Sequence, residues 1–149
     1  MNTIILALIS GTIFSTAVQA DNFKDADDAI HYRQAAFSLI AHNFGDMGDM
    51  LKGEKPFNSE VFIMRAENVA ALSKLPLEGF ISGSDQGKTE ALSKVWTDKS
   101  DFDAKMKALQ DNAAALLLAS ASDDRKLLKQ SFMKVAKTCK GCHDDYKKD

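Results

Sequence analysis

Apolar residues that recur at intervals of three and four positions mark most of this 149-residue chain, and this spacing restricts the folds available to it. The pattern covers four segments, at about residues 25–51, 59–75, 98–119 and 123–146. Side chains three and four positions apart lie on one face of an α-helix, so each segment predicts a helix with one apolar face. No stretch alternates apolar and polar side chains as a half-buried strand does. Four such helices can bury their apolar faces together, which predicts an all-α, antiparallel four-helix bundle.

The connection between the second and third segments, residues 76–97, is unusually long for a compact domain. It contains Gly79, Gly83 and Gly87. We expect this connection to fold over one end of the bundle and to contain a short helical turn near residues 92–96.

The first twenty residues differ from all that follow, because they contain no charged side chain. Their apolar centre, residues 4–9, is too short to cross a bilayer as a helix. The segment ends in small residues at Val18-Gln19-Ala20, just before the polar Asp21. This predicts a cleaved secretory signal peptide over residues 1–20, with an uncleaved membrane anchor as the alternative. Residues 21–149 are then one periplasmic domain, with no membrane association after cleavage.

The charge balance is nearly neutral, with 19 basic and 21 acidic residues and a formal net charge of −2. Nothing in this balance suggests a nucleic-acid partner, which requires a clustered basic face. Lys147 and Lys148 lie among Asp144, Asp145 and Asp149 and are typical of a solvated helix end.

The C-terminal segment contains the chain's two cysteines in the motif Cys139-Lys140-Gly141-Cys142-His143. C-x-x-C-H is the spacing used to attach a c-type haem, since two thiols on one side of the backbone add to the two haem vinyl groups. Positions i, i+3 and i+4 share a helix face, so Cys139, Cys142 and His143 face one flat ligand. The motif predicts one haem c held by two thioethers on the fourth helix, with His143 as an axial ligand of the iron.

Three other sites could use two cysteines. A zinc site needs four ligands, and His31 and His42 would have to supply the rest. A thioredoxin-like redox pair is expected beside a βαβ pattern, which this sequence lacks. A simple disulfide accounts for the cysteines but not for His143.

A haem-attachment motif at the end of a four-helix chain resembles the class II c-type cytochromes, and cytochrome c′ above all. The resemblance covers the whole of residues 21–149. The residues that carry it are Tyr32-Arg33-Gln34, Ala35-Ala36-Phe37, Leu75-Pro76, Phe80, Trp96 and the run from Cys139 to Tyr146.

The resemblance implies roles for three residues of the first helix. Phe37 matches the residue over the distal face of the iron, and Arg33 and Gln34 match residues near the haem propionates. Arg33 lies one turn before Phe37 on the apolar face, where an unpaired charge is costly. Its alternatives are a snorkelling side chain or a salt bridge to an acidic residue. Lys147 departs from the family, which often has an arginine four residues after the proximal histidine, so a proximal role there is in doubt.

Function depends on what faces the iron opposite His143. If Phe37 is there, the iron is five-coordinate and high-spin, and an apolar pocket favours NO and CO over O₂. We therefore expect a gas-binding haem protein capable of electron transfer, not an enzyme. A peroxidase would need a distal histidine or arginine. The alternative is a low-spin, six-coordinate electron carrier whose sixth ligand is one of Met47, Met50, Met64, Met106 or Met133, although such methionines more often fill cores.

The resemblance also implies a homodimer formed through the first two helices. Ile30 and Val61 are candidate contacts if they are exposed, and the alternative is that they pack inside. The redox partner cannot be identified from the sequence. His31 and His42 do not share the face of Phe37 and are expected at the surface or the edge of the core.

Overall fold

The computed structural model describes residues 22–122 and 124–148, so the predicted signal peptide at residues 1–20 lies outside the described residues. These described residues form five α-helices in chain order: α1 (Ala26–Lys52), α2 (Ser59–Leu72), the short α3 (Lys94–Thr97), α4 (Lys99–Ser120) and α5 (Arg125–Tyr146). A 3-10 turn spans Pro76–Gly79. The four long helices form the predicted bundle, in which α1 packs on α2, α2 on α4, and α4 on α5.

Short polar side chains begin three of the long helices. The Asp25 carboxylate accepts a hydrogen bond from the amide of Asp28, and the Asn58 side chain accepts one from Val61 at the start of α2. Asp124 accepts from two amides at the start of α5. These contacts satisfy helix N–H groups that have no partner within the helix.

One helix boundary differs clearly from the sequence prediction. The first helix agrees with its predicted span of about residues 25–51, since α1 continues to Lys52 and ends at Gly53, whose φ of 82° only glycine adopts readily. The second was expected to reach Leu75, but α2 ends three residues earlier. Ser73 follows it and donates a hydrogen bond to the Ala70 carbonyl. Pro76 then begins the 3-10 turn.

The interior is divided between two groups of side chains. The main core lies where α1 leads into α2 and α4 leads into α5. It consists of Ile40, Met47, Met50, Phe62, Ala66, Val69, Leu109, Ala113, Leu116, Leu128 and Val135. The aromatic cluster lies at the other end, around Val95, Phe102, Met106 and Tyr146, and Phe37, Phe80 and Trp96 pack against it.

The long connection folds over the end with the aromatic cluster, as predicted, and its helical turn is α3. Trp96 donates its indole N–H to the Ile81 carbonyl at 3.0 Å, and the Leu92 amide donates to Tyr146 at 2.9 Å. Gly79 permits the closest approach to α1, because a Cβ there would lie 2.6 Å from the Ala29 carbonyl oxygen. The connection is therefore attached both to α1 and to the end of α5.

Aromatic rings of α1 and α5 meet beside the main core. The rings of Phe44 and Phe132 stack with centroids 4.1 Å apart. Gly48 is buried beneath Phe132, and a Cβ there would lie 3.3 Å from the ring. Farther toward the C-terminus of α5, the two helices are separated by a cleft.

In the part of the chain that the structure describes, no helix has the length and hydrophobicity that crossing a bilayer requires. Of the two residues suggested for a dimer contact, Ile30 packs inside against the connection, the alternative that the sequence left open, and Val61 is half-buried. Leu39 on α1 and Met64 on α2 are the large apolar side chains that these two helices leave exposed.

Candidate haem site

The predicted attachment residues lie together on one face of α5. Cys139, Cys142 and His143 all line a cleft of about 740 Å³ between α5, α1, α4 and the connection. Both cysteines are half-buried, and His143 is exposed at the edge. The helical spacing has therefore brought the three side chains to one cavity, as the motif predicted.

The cleft is apolar where it approaches the core. Phe37, Ile40 and Phe44 of α1 form one wall, and Met106 and Leu109 of α4 lie deeper. Phe80, Val95 and Phe102 close the end under the connection. A cavity of this size and character fits a large flat apolar ligand. The residues present therefore suit a haem.

The two thiols are poorly suited to redox exchange. They are not joined in a disulfide. Burial raises the pKa of Cys139, and it raises the pKa of Cys142 to about 11. Thioredoxin-like pairs rely on a lowered thiol pKa, so this environment argues against that alternative.

The zinc alternative fails on geometry. His31 and His42 are exposed side chains of α1, as expected from their positions off the face of Phe37. Within residues 22–122 and 124–148, no three His, Cys, Asp or Glu side chains are grouped so that they could hold a metal ion. The cysteines therefore lack the additional ligands that a structural zinc site requires.

Arg33 lines the cleft, but its guanidinium is directed into the connection. Only 2% of the residue is exposed. One terminal nitrogen donates to the Gly79 carbonyl and to the Ser84 hydroxyl, each at 2.7 Å. The other donates to the Ser84 carbonyl at 2.7 Å and to the Thr89 hydroxyl at 2.8 Å. Neither a snorkelling side chain nor a salt bridge describes it, since no carboxylate of the described residues lies within ion-pair distance.

The buried guanidinium also contacts two aromatic rings. Its central carbon lies 4.5 Å from the Phe80 ring centroid and 5.7 Å from that of Trp96. Burial lowers the pKa of Arg33, but an arginine still keeps its charge at neutral pH. Arg33 thus brings a positive charge to the cleft while it fixes the connection to α1.

The other predicted first-helix residues also line the cleft. Gln34 is exposed and donates its side-chain amide to the Lys88 carbonyl at 2.9 Å. Phe37 is half-buried, and its ring meets the Phe80 ring edge-on with centroids 6.4 Å apart. The structure thus places Arg33, Gln34 and Phe37 at the same cavity as the attachment motif.

Lys147 is more than a solvated tail residue. Its ammonium group pairs with Glu90 at 2.9 Å, and this contact lowers the pKa of the Glu90 carboxyl. The Lys148 amide donates to the Glu90 carbonyl at 2.8 Å. The C-terminal end of α5 is therefore attached to the connection, beside His143.

The five candidate methionines separate clearly. Met47 and Met50 are buried in the main core, and Met64 and Met133 are exposed. Met106 is the methionine among them that lines the cleft, where it packs in the aromatic cluster. A six-coordinate iron would have to recruit Met106, since the other four lie elsewhere.

Sequence reasoning missed Lys105, which lines the cleft beside Cys142. Its ammonium group lies 2.9 Å from Asp145 and 3.8 Å from Asp101. Asp101 also accepts a hydrogen bond of 2.6 Å from the Tyr146 hydroxyl. The i,i+4 spacing of Asp101 and Lys105 was visible in the sequence, whereas the approach of α5 depends on the fold.

Comparison with known proteins gives a consistent result. A family model described as cytochrome C′ matches residues 28–147. Cytochrome c′ from Halomonas halodenitrificans is 36% identical over 129 residues, covering 83% of this chain and 98% of that protein.

Solved structures give the same match. Cytochrome c prime from Shewanella frigidimarina is 66% identical and superimposes with a TM-score of 0.85, covering 86% of this chain and all of that one. Two variants of cytochrome c prime from Alcaligenes xylosoxidans are 35% identical with a TM-score of 0.79, and the match covers 85% of this chain and 98% or 99% of theirs. They were solved as a nitric oxide complex and with carbon monoxide bound.

Proposed function

Because this chain belongs to the cytochrome c′ family and carries one covalently attached haem c, we propose that it is a periplasmic protein that binds NO and CO and transfers electrons. When bound, the haem supplies the redox change and the coordination position for the gas. The protein's own residues would attach the haem, supply one ligand to its iron and determine which small molecules reach the opposite face.

Attachment and proximal ligation are assigned to α5. Cys139 and Cys142 supply the two thioether sulfurs, and His143 supplies the imidazole that binds the iron. Arg33 and Gln34 serve the propionate end, where Arg33 contributes its buried positive charge. Four N–H groups of Arg33 already have partners in the connection, so its role toward a propionate is mainly electrostatic.

The observation that carries the gas-binding proposal is the position of Phe37. It lines the same cleft as His143 but comes from α1, and a phenyl ring cannot ligate iron. A haem held by Cys139, Cys142 and His143 would have Phe37 as its distal neighbour in this cleft, and its iron would then be five-coordinate and high-spin, with a position open to a small gas. The adjoining Ile40 and Phe44 side chains offer no hydrogen bond to bound O₂, so neutral NO and CO are favoured.

Visible spectra of the purified holoprotein, ferric and ferrous, test this proposal. We expect a high-spin spectrum that changes on addition of CO and of NO. A ferrous spectrum that neither gas changes would contradict the proposal.

The Cys139→Ala/Cys142→Ala double variant tests the attachment. We expect it to lose the covalent haem, as measured by haem staining on a denaturing gel. The exposed Lys140→Ala variant is the matched control.

A second candidate is a six-coordinate electron carrier, which the position of Met106 in the cleft favours. In that case the spectrum is low-spin, and Met106→Leu converts it to high-spin. Met47→Leu is the control, because Met47 is equally buried but lies in the main core. A spectrum that Met106→Leu leaves unchanged excludes Met106 as a ligand.

We do not expect peroxidase turnover, because Arg33 is held at the connection by four hydrogen bonds and no histidine other than His143 lines the described cleft. A homodimer through α1 and α2 is part of the proposal. It is supported by the exposed Leu39 and Met64 of these helices. Sedimentation of a Leu39→Glu/Met64→Glu variant tests it, with a shift to monomer expected.

A further inference from the structure

The charges of this chain are strongly segregated. Residues 125–143 hold six basic and no acidic side chains, whereas the other 130 residues hold 13 basic and 21 acidic ones. The net charge of −2 hides this distribution, since a segment of +6 is offset by −8 elsewhere. The basic segment is the first 19 residues of α5, the helix that bears the haem-attachment motif.

Four of these basic side chains form one solvent-facing band, here called the lysine stripe: Lys126, Lys129, Lys134 and Lys137. All four are exposed. Their spacing of three, five and three residues keeps them on the outer half of the helix. None of the four has a carboxylate within 4 Å in the described parts of the chain, although eight other basic residues there do.

The lysine stripe surrounds an apolar centre. Met133 is 53% exposed and lies one turn from Lys129 and one turn from Lys137. Leu127, also exposed, extends this centre toward the start of α5. An apolar centre with a charged rim is the usual arrangement of a protein-docking patch, and a flexible thioether adapts to different partners. From Lys126 to Lys137 the patch spans about 16 Å, which suits a small transient interface.

The stripe is also close to the cofactor site. Cys139 and Cys142 face the cleft from the opposite side of the same helix. A protein seated on the stripe is therefore separated from the cleft by about one helix diameter, roughly 10–12 Å. We propose that the lysine stripe with Met133 is the docking surface for the acidic face of an electron-transfer protein, which exchanges one electron with the haem through α5.

This inference rests on the proposed electron-transfer function. A protein partner fits better than an anionic membrane, because the remaining surface carries the net charge of −8 and would be repelled by acidic lipid headgroups. An acidic protein presents a limited negative patch, and the stripe matches that in size. Charge complementarity of this kind raises the rate of encounter more than the affinity.

The test uses the ferric holoprotein and a reduced plant-type [2Fe–2S] ferredoxin, a small acidic protein that gives up one electron and thereby reduces the haem iron from ferric to ferrous. Stopped-flow absorbance measures the second-order rate at an ionic strength of about 10 mM, where screening is weak. The stripe variant is Lys129→Glu/Lys134→Glu/Lys137→Glu. The matched control is Lys24→Glu/Lys74→Glu/Lys88→Glu, which changes the net charge equally at exposed lysines outside α5.

We expect the stripe variant to lower the rate by about tenfold or more, and the control by much less, since electrostatic steering contributes factors of about 10–10³. The corresponding Lys→Gln triple variant should give an intermediate rate, and this milder change guards against misfolding. Added salt should slow the wild type toward the stripe variant. Binding of CO to the ferrous protein should be the same in all variants.

Equal losses in the stripe and control variants would overturn the docking surface, because only net charge would then matter. An unchanged rate in the stripe variant would do the same. Binding of the wild type, but not the stripe variant, to vesicles of one-third phosphatidylserine, with no difference toward ferredoxin, would replace the protein partner by a membrane. Failure of CO and NO to bind any variant would instead contradict the gas-binding proposal. The rates of electron transfer from ferredoxin would still test the docking surface.

Discussion

Where α1 leads into α2 and α4 leads into α5, four helices fill the interior with their own side chains, whereas at the opposite end they leave a cleft of about 740 Å³. The main core is mostly aliphatic and closes by helix contact alone. The other end is aromatic, and it is held by the connection, by Arg33 and by the C-terminal residues of α5. The same four helices thus form a core closed by side-chain packing at one end and a cofactor cleft at the other.

The difference shows how a bundle accommodates a large planar group. Phe44 and Phe132 hold α1 against α5 near the main core, and Gly48 allows that contact. Beyond this point the side chains of α1 and α5 face a cavity and not each other. Stability and function are therefore expected to respond separately to substitutions at the two ends.

The largest effect is expected from a cavity in the main core. Leu116 is fully buried in α4, and Leu116→Ala should lower the free energy of unfolding of the holoprotein by about 2–5 kcal/mol. The visible spectrum of the folded protein should not change, because Leu116 does not line the cleft. Urea unfolding followed by circular dichroism measures the loss.

Leu118→Ala is the control for that experiment, since Leu118 lies on the same helix but is 77% exposed. Its effect should stay within about 0.5 kcal/mol. An altered haem spectrum in the folded Leu116→Ala protein would show that the two ends are coupled.

The helices and the attachment residues were predictable from local information. Four apolar periodicities gave four long helices, and the spacing of Cys139, Cys142 and His143 placed them on one face. Arg33 was recognised as an unusual charge on an apolar face, but its partners Ser84 and Thr89 are about fifty residues away in a segment without periodicity. No local rule selects such partners, because they depend on how the connection closes over the bundle.

The basic character of α5 was readable from the sequence but was missed, since the net charge averages it with the acidic remainder. Counting charges helix by helix would have found it. The ion pair of Lys105 with Asp145 could not be predicted from such a count, because it forms only where α4 and α5 meet in the fold.

A smaller effect is expected at the cleft end from Arg33→Met. This change removes four hydrogen bonds from a charged donor and leaves buried acceptors without it, but it also relieves the cost of burying a charge. The net loss should be about 1–3 kcal/mol. Amide exchange of Ser84 should accelerate, because the connection is released from α1.

Gln34→Ala is the matched control for Arg33→Met, since Gln34 also joins α1 to the connection but makes one exposed hydrogen bond. Its effect on stability should stay within about 0.5 kcal/mol. If Arg33→Met left the exchange of Ser84 unchanged, the connection would be held by the aromatic cluster and not by the guanidinium.

The smallest effect concerns one carboxylate at each end. Hydrogen bonds from Lys147 lower the pKa of Glu90 beside the cleft, and hydrogen bonds from Lys55 and Arg65 lower that of Asp46 near the main core. A carboxyl whose folded pKa is depressed stabilises the protein above its unfolded pKa, about 4.3 for Glu and 3.9 for Asp, and loses that contribution as the pH falls through the folded value. Glu90→Gln should therefore slightly weaken the protection of the Leu92 and Lys148 amides against hydrogen exchange at pH 7, and the difference from wild type should vanish in acid.

Asp46→Asn is the comparison at the other end. It should leave those two amides unchanged while it weakens the contact of α1 with α2, with the same pH dependence. Hydrogen exchange measured on both variants shows whether the two ends of the bundle open independently. A faster exchange of the Leu92 amide in Asp46→Asn would mean that they open together, and that the Lys147–Glu90 contact does not stabilise the cleft end separately.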